Sequence, residues 1–415
     1  MGRIKQLTKS KQANQVVILY ASTLIGVAIG MLNSVINTRA LAPDLYGDYR
    51  YVQNIITFVS SLLLLGYFTS GSRLLAISKD EEHSRRIRGV MCVILGVTIG
   101  VIMLVMTMLF FTNNKDSMNQ LYLLSIPLCG GNLMLSYINT TAQGDNHIGR
   151  IAVARVIPSL LYCIIAYLIY RMFSATPDLM LLLYNGITIV VLFLVIYSTH
   201  PVLENLKDSF RELREENKSY GFNVYLGALM GVSTSYIAGI TLGKFCDTNA
   251  NVGFYTLALT ISTPLSTLPT IIGTTHFKKF AIQNRISKKV FWGSILLTFL
   301  SALIFVIFIK YIVGFLYDKS YSIVSVYSSV LAIGMCLHGL GDMVNRFLGA
   351  HGQGRQIRNS AIICGIIKLI GSFVLVYYWQ IWGAIFTSIL GALAYFIVLL
   401  IYYILYVNKQ SWMSY

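Results

Sequence analysis

Lys368 stands within the apolar run 361–375, roughly ten residues from polar sequence on either side, so about 15 Å of helix separates it from each end. A lysine stem cannot reach water over that distance. A cation at such depth costs about 2.5–3.5 kcal/mol even on a lenient insertion scale, so it needs a wet or protein-lined cavity. Cations facing a cavity suit an anionic cargo. The helical face of Lys368 carries Ala361, Cys364, Gly365, Gly371 and Ser372, small side chains of the kind a lining position requires. Four other cations are candidates for the same anion. Arg39, Arg50 and Lys244 fall near the outer ends of apolar spans, and Arg155 lies about 9 Å inside the cytoplasmic end of its own. Each of these four is equally readable as an interfacial anchor.

Among carboxylates, Asp342 alone falls inside an apolar span clear of its loop. His338, Asp342 and Arg346 are spaced four apart on one helical face. That spacing suits an Asp342–Arg346 pair, or a relay in which His338 and Asp342 couple a proton or sodium gradient to transport. Enzyme chemistry has no foothold: the sequence has no P-loop, no nucleophile elbow, no His-Glu-x-x-His and no long loop able to form a catalytic domain. The six cysteines are dispersed without Cys-x-x-Cys or His-rich spacing, so neither a disulfide framework nor a metal site is expected, and no cofactor.

The elements that position these residues are apolar helices. With 415 residues, 56% hydrophobic and only 12% charged, the chain reads as a multi-pass membrane protein. Hydrophobic length predicts about twelve spans, at 14–37, 47–70, 88–111, 118–141, 149–172, 178–197, 220–243, 252–275, 289–311, 321–344, 359–379 and 382–406. The net charge of +16 would suggest nucleic acid in a soluble protein. Here the cations fall mainly in alternate loops, as the positive-inside rule requires, so no nucleic acid is expected and both termini are placed in the cytoplasm. The first apolar run lacks a signal-peptidase exit and is expected to stay as the first helix. Asn139-Thr-Thr and Asn217-Lys-Ser match the glycosylation pattern but fall on the predicted cytoplasmic side.

One polar segment divides the chain into an N-terminal lobe, 1–199, a linker, 200–219, and a C-terminal lobe, 220–415. Leu203, Leu206, Phe210 and Leu213 give the linker the spacing of a surface amphipathic helix, with a plain solvated connector as the other reading. The halves repeat. A shift of about 206 residues lays Tyr46-Gly47-Asp48-Tyr49 on Val252-Gly253-Phe254-Tyr255 and Asn139 on Asn345. Six spans per half make the repeat parallel, related by an axis along the membrane normal, with a central cavity between two lobes. In the first span Ser22, Gly26, Gly30, Asn33 and Asn37 share one face; in the seventh Gly227, Gly231, Ser235, Gly239 and Gly243 do so. These faces serve either close helix packing or the lining of that cavity. In the eighth span Pro264 and Pro269 predict a bend beside Thr263 and Thr267, two further lining candidates.

The segment Asn37-Thr-Arg-Ala-Leu-Ala-Pro-Asp-Leu-Tyr-Gly-Asp-Tyr, its echo Asn251-Val-Gly-Phe-Tyr-Thr-Leu-Ala, and Asn345-Arg-Phe-Leu-Gly-Ala-His-Gly-Gln-Gly together resemble the bacterial polysaccharide flippases. These belong to the multidrug, oligosaccharidyl-lipid and polysaccharide exporter superfamily. The resemblance covers the whole chain. It implies an all-α protein of two six-helix lobes that carries a polyprenyl-pyrophosphate-linked oligosaccharide across the bacterial inner membrane by alternating access, for O-antigen or capsule synthesis. It also implies polysaccharide polymerase or export machinery as partners, and basic residues in the second, eighth and eleventh spans that hold the pyrophosphate. Arg50 and Lys368 match the second and eleventh; the eighth span has no cation before Lys278. A cation-coupled multidrug exporter of the same superfamily and a membrane-embedded saccharide polymerase are the alternatives. The first should carry cavity carboxylates and the second a large external loop.

Overall fold

The computed structural model describes the backbone of residues 11–413 apart from 79, 114 and 233. Within that range it describes side chains other than those of 11–20, 116, 117, 230–235, 278 and 410–413. The described residues are almost wholly helical, without strands. In chain order the helices are α1 (Lys11–Ala40), α2 (Pro43–Leu63), α3 (Tyr67–Ile77), α4 (Glu81–Thr112), α5 (Asp116–Leu128), α6 (Gly131–Gly144), α7 (Ile148–Met172) and α8 (Pro177–Tyr197). Then come α9 (Leu206–Glu216), α10 (Phe222–Val232), α11 (Thr234–Phe245), α12 (Ala250–Thr275), α13 (Phe277–Phe280), α14 (Lys288–Leu316), α15 (Val324–Ala350) and α16 (Gly354–Met413).

Among the described residues nine helices are long and apolar enough to cross a membrane, ten when the bent pair α2 and α3 is counted as one span. The expected seventh span, 220–243, is carried by α10 and α11 on either side of position 233. The 60 residues of α16 would extend about 90 Å if straight, three times a hydrocarbon core. Gln380, at φ 48° and ψ −124°, reverses it instead. The two arms run antiparallel, so close that a Cβ at Gly371 would lie 2.6 Å from Thr387 Oγ1. Only 11% of the most apolar window of α14 is buried. An aromatic and aliphatic face of that size would be an aggregation hazard in water but is at no disadvantage in hydrocarbon. The protein is a multi-pass membrane protein.

The chain forms two compact units, residues 1–41 with 55–226 and residues 42–54 with 227–415. This division differs from a cut at the 200–219 segment, because the first turns of α2 pack with the second unit and the linker helix with the first.

In the first unit the break between α2 and α3 turns the path by 57°. Leu65 and Gly66 take φ 46° and 82° there. Gly66 is required: a Cβ would lie 2.5 Å from the Gly221 carbonyl carbon, and left-handed backbone is already unfavourable for other residues. Asn217, from the unused glycosylation pattern, spans this break. Its Nδ2 donates to Leu65 O at 3.1 Å, and its Oδ1 accepts from Ser70 Oγ at 3.1 Å, so a carbonyl freed by the break is satisfied. The linker forms α9, buries Leu213, stacks Phe210 on Tyr67 with ring centroids 6.3 Å apart, and leaves Leu203 exposed. Ion pairs hold its polar side, Glu216 to Arg73 at 2.6 Å and Glu212 to His83 at 2.9 Å. At the start of α4 the buried Arg88 pairs with Glu81 and, at 3.1 Å, with Asp145, which also meets Arg150 at 3.4 Å.

In the second unit the start of α2 lies against the start of α12. A Cβ at Gly47 would overlap the Asn249 carbonyl, and one at Gly253 would lie 3.1 Å from the Pro43 carbonyl oxygen. Asn249 Nδ2 donates to Asp48 Oδ1 at 2.5 Å, and the buried Tyr46 meets Tyr321 edge-to-face at 6.0 Å. These contacts explain why 42–54 belongs to this unit. Further along, α15 and the arms of α16 share a core of Val344, Leu348, Cys364, Tyr395 and Leu399. A second cluster joins Phe280, Ile286 and Phe347.

Candidate functional site

A cavity of about 510 Å³ opens within the second unit. Each helix that borders it supplies residues one turn apart, which is how a helix presents one face. From α2 come Arg50 and Asn54; from α11, Tyr236 and Gly239; from α12, Tyr255, Thr256, Thr260, Thr263 and Ser266. His338 projects from α15, and the arms of α16 contribute Lys368 and Ser372, then Thr387 and Ser388. Small residues make the room. A Cβ at Gly239 would collide with the Asn54 amide, and one at Gly391 would lie 2.6 Å from Lys368 Cγ and 3.0 Å from its Cε. The lysine stem therefore runs along Gly391 of the returning arm. The Arg50 guanidinium is braced 5.9 Å over the Tyr46 ring.

Among the described residues the lining carries two basic side chains, Arg50 and Lys368, with His338, and no carboxylate. Around them stand hydroxyls and one amide. Such a surface binds an anion through charge-assisted hydrogen bonds, Arg with its planar fork and Lys as a point charge, and offers neutral donors and acceptors to polyhydroxylated groups. The volume lies within the usual range for small-molecule sites, about 300–1,000 Å³.

Five of the candidates named from sequence meet here: Arg50, Gly239, Thr263, His338 and Lys368. The others are placed elsewhere. Arg39 and Arg155 belong to the first unit, Arg39 exposed and Arg155 half-buried; Lys244 is exposed, and Thr267 is not among the lining residues. Asn33 and Asn37 are buried in the first unit against α7. Asn33 Nδ2 donates to Ser159 O at 3.3 Å, and Asn37 Oδ1 accepts from Tyr162 Oη at 2.5 Å. Ser235 lies outside the described side chains. The small faces divide too. Gly239 and Gly243 pack tightly against Asn54 and Tyr51, whereas among the described residues nothing lies within 4 Å of a Cβ at Gly26 or Gly30.

Asp342 sits behind the lining. The expected pair with Arg346 is absent from the ion pairs of the described residues, and Arg346 is exposed. Its carboxylate instead accepts from Thr270 Oγ1 at 3.1 Å and Tyr395 Oη at 3.0 Å, because α12 and α16 present hydroxyls where Arg346 turns away. The Tyr395 ring lies 5.1 Å from the ring of His338, which lines the cavity.

Sequence reasoning missed Asn54, Tyr236, Tyr255, Thr256 and the pair Thr387 and Ser388. Two signals were available: Asn54 follows Arg50 by one turn, and Thr387-Ser388 is a polar pair inside the apolar run 382–406.

Solved structures share this fold at low identity. A multidrug resistance MATE family transporter of the MOP superfamily, in an inward-facing conformation, matches at a TM-score of 0.71 and 14% identity over 97% of this chain and 100% of that one. The lipid II flippase MurJ, in an inward closed conformation, matches at 0.72 and 13% over 93% of this chain and 87% of that one. An outward-facing MATE family transporter matches at 0.63 and 14%, covering 98% of both chains. No curated protein matches the chain by sequence. The two-lobe transporter fold common to MATE proteins and MurJ is thereby that of this chain. The profile of the family described as polysaccharide biosynthesis protein matches residues 13–277, well over half the sequence, and the chain belongs to that family.

Proposed function

We propose that the protein is a flippase that moves polyprenyl-pyrophosphate-linked oligosaccharide units from the inner to the outer leaflet of a bacterial cytoplasmic membrane, for O-antigen or capsule synthesis. The observation that carries this reading is the cavity charge: Arg50 and Lys368 line it, and among the described residues no carboxylate does. A pyrophosphate and its sugars cannot enter hydrocarbon, whereas the prenyl chain can stay there, so the protein need supply only a polar path for the headgroup. Lys368 and Arg50 pair with the pyrophosphate; Asn54 and the α12 hydroxyls contact saccharide. The lobes of 1–199 and 220–415 rock to exchange access, with both termini cytoplasmic. His338 and Asp342 couple the cycle to a proton or sodium gradient. Exchange of organic cations, the other activity compatible with this fold, is disfavoured because two cations in the lining repel such cargo.

The test is translocation by purified protein in liposomes. A labelled polyprenyl-pyrophosphate oligosaccharide and a labelled organic cation are compared under an imposed ion gradient. Movement of the lipid-linked sugar is the expected result; movement of the cation alone would replace this reading with the drug exporter.

A further inference from the structure

Two hydroxyls in the cavity wall are left unsatisfied by the fold. Ser372 and Thr387 are 0% and 2% exposed, both line the cavity, and among the described residues neither Ser372 Oγ nor Thr387 Oγ1 has a hydrogen-bond partner. A helix offers Ser and Thr an easy partner, the carbonyl three or four residues back. Across the cavity Thr256, Thr260, Thr263 and Ser266 all take it. Ser372 and Thr387 do not, although leaving a buried hydroxyl unmade costs about 1–3 kcal/mol. Ser328 Oγ shares this condition but does not line the cavity.

Their positions connect them to Lys368. The outgoing arm of α16 carries Lys368 and, one turn later, Ser372. The returning arm carries Thr387 and, one turn later, Gly391. Gly371 abuts Thr387 and Gly391 abuts Lys368, so the antiparallel register brings the ammonium-bearing side chain and both hydroxyls into one block of the wall. An ammonium beside them, with no carboxylate among the described lining residues, disfavours a metal cation, which takes oxygen donors and negative charge. A neutral sugar would use the hydroxyls but gains nothing special from the charge.

We propose that Lys368, Ser372 and Thr387 form a subsite for a tetrahedral oxyanion, one phosphate of the cargo, with the ammonium supplying charge and the two hydroxyls donating. This rests on the anionic-cargo reading above and adds the two donors to it. The same chemistry could be met by an anionic phospholipid headgroup, and the test separates the two sources.

The full-length protein is placed in phosphatidylcholine nanodiscs and titrated calorimetrically with inorganic pyrophosphate. Ser372→Ala with Thr387→Val is expected to weaken binding about 10- to 100-fold, near tenfold for each charge-assisted hydrogen bond. Thermal unfolding of this double variant is expected at or above the wild-type temperature, since a methyl replaces an unpaired hydroxyl. Unchanged pyrophosphate affinity in the double variant, with loss in Lys368→Met, overturns the subsite and leaves the anionic cavity standing. No pyrophosphate binding by wild type, or binding unaltered even in Lys368→Met, overturns both. Three further results each overturn the assignment: a lowered unfolding temperature in the double variant, weakened binding of maltotriose in place of pyrophosphate, or loss of wild-type pyrophosphate binding when phosphatidylglycerol is added to the discs.

Discussion

Gly47 lies against the backbone of Asn249, and a Cβ at Gly47 would overlap that carbonyl. The contact has a mirror. Gly253 lies against the carbonyl of Pro43, and the shift that superimposes the two halves carries Gly47 onto Gly253 and Pro43 onto Asn249. Each glycine therefore meets the repeat-equivalent of what the other meets, the reciprocity of a two-fold contact. Such reciprocity is what a parallel repeat of the two halves predicts. Gly47→Ala is expected to lower stability by about 1–3 kcal/mol through overpacking, and Gly253→Ala by less, because its methyl would lie 3.1 Å from its neighbours. Gly26→Ala and Gly30→Ala, with open space around them, should be neutral or stabilising by up to about 1 kcal/mol from helix propensity. Thermal unfolding of the four variants in one detergent checks this order.

Lys368 depends on Gly391 for the space its stem occupies. Lys368→Ala should lower translocation about tenfold or more with unchanged yield of folded protein, while Lys368→Arg keeps part of the activity, since charge is retained and shape is not. Gly391→Val puts branched carbon where the Lys368 stem lies and should reproduce much of the loss with the lysine intact. Liposome translocation, alongside size-exclusion profiles, reads both effects. Full activity in Lys368→Ala would remove this residue from the cargo site.

Lys368 was legible from sequence because a charge deep in an apolar run leaves few physical options, and Arg50 because the family resemblance implies a cation in the second span. Asn33 and Asn37 were misassigned for an equally physical reason. A polar face on a helix marks a need for partners, and α7 meets part of that need without a cavity, Ser159 accepting from the Asn33 amide nitrogen and Tyr162 donating to Asn37. Nor does sequence tell a glycine that packs, such as Gly243, from one that faces open space, such as Gly30. That difference lives in the neighbouring helix. The unsatisfied hydroxyls of Ser372 and Thr387 were illegible for the same reason, because a missing hydrogen bond is a property of coordinates.

Arg88 carries a load the sequence did not announce. It is 4% exposed and pairs with Asp145, itself only 10% exposed. Arg88→Met leaves that carboxylate with Arg150 alone and should destabilise by about 3–5 kcal/mol, much of it recovered when Asp145→Asn is added. Burial holds the Asp145 carboxyl above its ordinary range, with Arg88 and then Arg150 pulling it back. An acid raised by folding contributes stability below its unfolded value, about 3.9, and loses it as pH rises through the folded value. Removing Arg88 raises the folded value further. Arg88→Met should therefore lose stability over a wider interval above pH 4 than wild type, and Arg88→Met with Asp145→Asn should not. Unfolding temperatures from pH 4 to 8 read the difference.

The coupling proposed above would turn on Asp342, whose two oxygens accept from Tyr395 and Thr270. The Tyr395 oxygen in turn accepts from Asn345 Nδ2 at 2.7 Å, which commits its own hydrogen to the carboxylate. Thr270 Oγ1 also lies 2.9 Å from Ser266 O, so its one hydrogen is shared between that carbonyl and the carboxylate. Asparagine cannot reproduce this, because its Nδ2 has no acceptor capacity for the second hydroxyl. His338 bridges the cavity and the Tyr395 ring, so a proton or cation admitted from the wet side meets the imidazole before the carboxylate. Asp342→Asn should bring gradient-driven translocation down to the level seen without a gradient, while pyrophosphate affinity stays within about twofold because Asp342 is not among the lining residues. Tyr395→Phe leaves one donor on Asp342 and should reduce the gradient dependence only in part. If Asp342→Asn combined with His338→Gln still responds fully to an imposed gradient, the driving ion enters elsewhere and this pair holds α12, α15 and α16 together without taking part in coupling.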